Sequence, residues 1–165
     1  MNNPFIHLRS LSSYSLSEST LKITNLVDLA KKNDMPAIAI TDNNNMFGVF
    51  EFSKECVKNN IQPIIGTSIN LLDIIVNNQI SQVTFLVKNE IGYRNLLELS
   101  SLSHLNEGNN IGIYFSQLEK FSEGLFCYIG GEFNPLLLLN KENRNEDVKN
   151  DEIKNEFFTL SRKST

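Results

Sequence analysis

The sequence predicts an α/β fold built on a mostly parallel sheet or barrel, and three observations carry that prediction. Short apolar runs alternate with amphipathic segments through the first two-thirds of the chain, the signature of strand-helix-strand units. The 165 residues are 41% hydrophobic, enough for one domain with a core of its own. Those residues fall in separated runs, none of which reaches the roughly 18 uninterrupted apolar residues of a membrane span.

The elements follow in order. Phe5 to Leu8 is a short apolar run that serves as a first strand. A Ser-rich loop runs from Ser10 to Ser19, and Thr20 or Thr24 is placed to cap a helix whose apolar positions Leu26, Val27, Leu29 and Ala30 recur at helical spacing. Asn33 and Asp34 end it. Ala37 to Ile40 is a compact apolar strand running into the polar turn Thr41 to Asn45. The next helix carries Phe47, Val49, Phe50, Phe52 and Val57. Pro63 to Gly66 begins a third strand, continued through Ile69, Leu71 and Leu72, with a hairpin at Asn77-Asn78 leading into Val83 to Val87. A helix over Gly92 to Leu102, a short helical piece around Phe115 to Phe121 and a strand from Leu125 to Ile129 complete the pattern. From Asn140 to Asn155 nearly every residue is polar, which suits a solvated helix or a frayed connection.

Composition excludes several classes of function. A net charge of −4 argues against a protein that grips nucleic acid over a broad basic surface. The N-terminus lacks the basic, apolar and small-residue succession of a secretory signal, so the chain reads as soluble and cytoplasmic. Cys56 and Cys127 stand far apart without neighbouring Cys or His at zinc-ligand spacing, and read as ordinary buried thiols.

In a barrel of parallel strands the active site lies at the carboxyl ends of the strands. The residues to inspect are therefore His7 to Leu11, Thr41 to Asn45, Gly66 to Ser68, and Gln82. Phe5-Ile6-His7-Leu8, Ser12-Ser13-Tyr14-Ser15-Leu16, Pro36 to Asp42, Phe47 to Phe52 and Ile61 to Gly66 occur there in order. With Val83 to Asn89, Gly92 to Leu96 and Glu123 to Glu132, they make the chain resemble the N-terminal PHP (polymerase and histidinol phosphatase) domain of the bacterial DNA polymerase III alpha subunit, over about residues 4 to 135. The resemblance implies an incomplete PHP-type barrel, a distorted TIM-like β/α barrel, over residues 1–135, followed by a polar helical or frayed tail over 136–165. A complete domain of this family is longer, so the expectation is a truncated or split barrel.

What the resemblance implies for chemistry is a cluster of His, Asp and Glu that holds divalent ions such as zinc, manganese or magnesium to polarise a phosphate and activate water. Here the family's H-x-H pair is matched by Arg9 and Leu11, its T-D-H by Thr41-Asp42-Asn43, a Glu by Ser68 and a His by Gln82. Arg carries a fixed charge and no lone pair, and Leu has no donor atom. His7 and Asp42 are the weak candidates that survive, so no bound metal and no catalytic residue are expected. Each has a bland reading as well: a hydrogen-bonded structural His7, and an Asp42 that caps backbone amides in its turn. Arg9 is placed to pair with Asp42 as a substitute cation, or to face solvent. Phe47, Phe50 and Phe52 read as core rather than a stacking platform, Gly130-Gly131 as a turn, and His104 as surface.

Three functions compete. The first is a non-catalytic scaffold of the replicative polymerase that contacts the rest of the alpha subunit and the proofreading exonuclease subunit, with no broad nucleic-acid binding of its own. The second is a metal-dependent phosphoesterase or 3'-5' exonuclease with a reduced ligand set, and the third a remnant of a fragmented polymerase gene. Nucleotidyltransfer is expected of the parent family and not of this chain.

Overall fold

A computed structural model describes residues 5–76, 78–106, 108–130 and 133–135. The polar segment beyond Asn140 and the second glycine of Gly130-Gly131 lie outside the described residues. The chain divides into two units, residues 1–68 and 69–165.

In the first unit, helix α1 (Ile23–Lys32) buries Ile23, Leu26, Val27 and Ala30, a spacing that puts one apolar stripe on one side. Its N-cap is Lys22, with no side-chain cap, so neither Thr20 nor Thr24 serves there. Asn33 closes the helix, and Asp34 follows in the left-handed region at φ 51°. Strand β1 (Ala37–Ile40) is buried throughout and pairs in parallel with the start of β2 (Gln62–Val76), from Ala37 opposite Gln62 to Ile40 opposite Ile65. Helix α2 (Val49–Lys58) joins the two strands. The core of this unit is formed by Leu26, Val27, Ala30, Ile38, Ile40, Phe52 and Cys56.

Two expectations are corrected here. Phe5 to Leu8 is not a strand, and Phe5 and Leu8 stand 66% and 42% exposed. The segment nevertheless runs beside β1, because the His7 and Ser10 carbonyls accept from the Ala39 and Thr41 amides at 2.9 and 2.8 Å. Of the three phenylalanines assigned to the core, only Phe52 is there. Phe47 and Phe50 are 70% and 75% exposed, since Phe47 precedes the helix and Phe50 lies on its outward side.

The second unit holds the remainder of β2, then β3 (Gln79–Val87), α3 (Glu90–Leu105), α4 (Phe115–Lys120) and β4 (Leu125–Tyr128). Asn78, at φ 63°, supplies the left-handed residue that the turn from β2 to β3 requires. The Asn89 side chain caps α3 by accepting from the Gly92 amide at 3.0 Å. Ile69, Leu71, Ile74, Val83, Phe85, Leu96, Leu99 and Ile113 are buried.

Among the described residues, hydrogen-bonded strand neighbours follow the order β1-β2-β3-β4. One described pairing, β1 with β2, is parallel. β4 runs antiparallel to β3, with Thr84 opposite Tyr128 and Val87 opposite Leu125. Among the described residues, α3 and α4 lie between those two strands in sequence.

Candidate functional site

The carboxyl end of β1 delivers Thr41 and Asp42 into a turn where both are buried. Asp42 is 2% exposed, and a carboxylate removed from water to that degree needs donors close by. Serines of the preceding loop supply them. Asp42 Oδ1 accepts from the Ser12 amide and the Ser15 hydroxyl, each at 2.6 Å, and Oδ2 accepts from the Ser12 hydroxyl at 2.6 Å. Each hydroxyl is used twice, because Ser12 Oγ also accepts from the Tyr14 amide at 3.2 Å and Ser15 Oγ from the Asn43 amide at 3.1 Å.

The Asp42 backbone is tied to the next strand. Its carbonyl accepts from the Thr67 hydroxyl at 2.7 Å and the Ser68 amide at 3.1 Å, and Asn43 forms a parallel bridge with Ser68. Asn43 donates through its side chain to the Glu18 carboxylate. Asp42 and Asn43, just past the end of β1, therefore meet Ser68, which is fully buried and lies inside β2 rather than after it.

His7, Arg9 and Leu11 line a cavity of about 340 Å³ walled by α1 residues including Leu26 and Ala30, and Asp42 is not among its lining residues. His7 is exposed, with its ring edge-on to Phe5 at 4.7 Å between centroids. Gln82 belongs to the second unit, inside β3 rather than at its start. Its amide donates to the Phe133 carbonyl at 2.8 Å and its side chain to Asn70 at 3.4 Å. The two candidate ligands His7 and Asp42 thus face different surroundings. Among the described residues no three His, Cys, Asp or Glu side chains converge as a metal site would require.

Ser12, Ser15 and Thr67 are the polar residues of this centre that sequence reasoning missed. The one available signal was the Ser-x-x-Ser spacing within the Ser-rich loop. Beside the centre, the Tyr14 hydroxyl donates to Glu51 at 3.3 Å, and the Glu51 negative charge, followed by that hydrogen bond, holds the phenol above its ordinary range.

Residues 7–159 match the family model described as PHP domain. The DNA polymerase III subunit alpha of Rickettsia prowazekii is 42% identical over 147 residues, covering 86% of this chain and 12% of that protein. The subunit of the same name from Borreliella burgdorferi is 39% identical over 164 residues, covering 89% of this chain and 14% of that protein. The chain therefore spans about an eighth of the length of the curated relatives it matches. Among solved structures, an amidohydrolase from Chromobacterium violaceum with bound sulfate and no metal aligns with a TM-score of 0.45. It is 16% identical and covers 61% of this chain and 32% of that one.

Proposed function

The chain belongs to the PHP domain family, and from that membership we propose that it is a non-catalytic PHP-type module of a replicative DNA polymerase III alpha subunit, with a scaffolding role in DNA replication. The proposed partners are the remainder of an alpha subunit and a proofreading exonuclease subunit, in the cytoplasm. The α/β units are read as part of the distorted barrel of that family.

The observation that carries the non-catalytic reading is the donor set at the strand ends. Divalent-ion catalysis of phosphate chemistry needs several carboxylate or imidazole lone pairs aimed at one point. Here both Asp42 carboxylate oxygens accept from serine donors. Asn43 and Ser68 bring only neutral side chains beside it. These residues do not fit a divalent metal, and no catalytic step is assigned to them.

Calorimetric titration of the chain with Zn²⁺ or Mn²⁺ tests the reading. The expected result is no saturable binding in the micromolar range. Micromolar binding that disappears in Asp42→Ala would overturn it in favour of an enzyme with a reduced ligand set.

A further inference from the structure

We infer that Asp42 is a metal-independent clamp, a buried carboxylate that closes the Ser12–Ser15 turn onto the end of β1 and carries that constraint through its own backbone to Thr67 and Ser68. The inference rests on the reading that this centre holds no metal. It goes further by giving the surviving carboxylate a positive role.

The hydrogen-bond directions fix that role. Each serine hydroxyl accepts a backbone amide, Tyr14 for Ser12 and Asn43 for Ser15, so its single proton is left for the carboxylate. Both hydroxyl oxygens donate to Asp42 from 2.6 Å, and the Ser12 amide adds a third donor at 2.6 Å. Three donors on a buried carboxylate take over the stabilising work that a cation would do.

The loop needs such a tie. Between Ser10 and Lys22 it has neither helix nor strand, and its own ties include Ser15 N to Ser12 O at 2.9 Å and Ser13 N to Leu21 O at 2.8 Å. Asp42 lies 30 residues from Ser12 in sequence, so the clamp joins segments that local turns cannot hold together.

Thermal denaturation of the chain, followed by circular dichroism in EDTA and with Zn²⁺ or Mn²⁺, tests the clamp. Asp42→Ala and the double variant Ser12→Ala/Ser15→Ala are each expected to lower the midpoint by roughly 5–10 °C, with or without metal. All three substitutions together should cost little more than the worse of these two, because they break one network. A midpoint unchanged in Asp42→Ala, or fully additive losses, would overturn the clamp and leave the non-catalytic reading standing. A wild-type midpoint raised by Zn²⁺ or Mn²⁺, with the rise lost in Asp42→Ala, would overturn both. Should Asp42→Ala fail to fold, Ser15→Ala removes one donor alone. A drop of roughly 2–5 °C supports the clamp and no change sinks it.

Discussion

The Ser68 amide donates to the Asp42 carbonyl at 3.1 Å, and the Ser68 carbonyl accepts from the Asn44 amide at 2.7 Å, so the parallel pairing of β1 with β2 extends past Ile40 into the turn. Position 68 works here as a ladder residue with no exposed surface.

An acid at that position should therefore harm the protein. Ser68→Glu would place a larger ionisable group at a position with no exposed surface, at a cost of about 2–4 kcal/mol. Urea denaturation would read this as a lower midpoint at unchanged slope. A variant as stable as the parent, or one that gained Zn²⁺ affinity, would show that a ligand pocket persists around Ser68.

The phenylalanines of α2 give a sharper contrast. Phe52 is fully buried among Leu26, Val27 and Cys56, so Phe52→Ala should cost about 3–5 kcal/mol. Phe50 is 75% exposed, with Lys54 Nζ 5.6 Å from its ring centroid, and Phe50→Ala should stay within about 1 kcal/mol of the parent. Equal losses in a denaturant series would mean that Phe50 is covered in solution.

That contrast marks what the sequence could reveal. The β1 run Ala37–Ile40 was legible residue for residue because a strand buried on both faces has no polar position to blur it. Phe47 and Phe50 were misplaced because aromatic content does not say which side of a short helix faces the core. The antiparallel sense of β4 was illegible, since periodicity fixes burial and not pairing direction. At the site, Asp42 stood out as a carboxylate after a strand, while its serine partners, 27 and 30 residues away, carried no marker of their target.

Both thiols should be inert in the folded chain. Burial pushes Cys56 up to about 11 from an ordinary 9.0, with a smaller contribution from the Glu55 charge, and burial pushes the half-buried Cys127 up to about 12. The unfolded chain releases these protons first. The thiols' contribution to stability is therefore fully present below pH 9 and lost as pH rises toward 11 and 12. A thiol reagent at about pH 8 should label the native chain slowly and the urea-unfolded chain fast. Rapid native labelling of Cys56 would contradict its burial.

The start of α3 depends on two glycines that leave each other no room. A Cβ on Gly92 would overlap the Gly124 carbonyl oxygen, and one on Gly124, which sits at φ 74°, would overlap the Asn89 side chain that caps the helix. The same Gly124 carbonyl accepts from the Lys88 amide at 2.9 Å, so the end of β3, the helix cap and the approach to β4 share one tight contact. Gly92→Ala must push backbone against backbone, which side-chain rotation cannot relieve, and should cost about 2–4 kcal/mol. Asn89→Ala removes only the cap and should cost about 1 kcal/mol. Urea midpoints for the two variants would separate the effects. If Gly92→Ala proved as stable as the parent, the close approach of α3 to the β4 turn would not hold in solution.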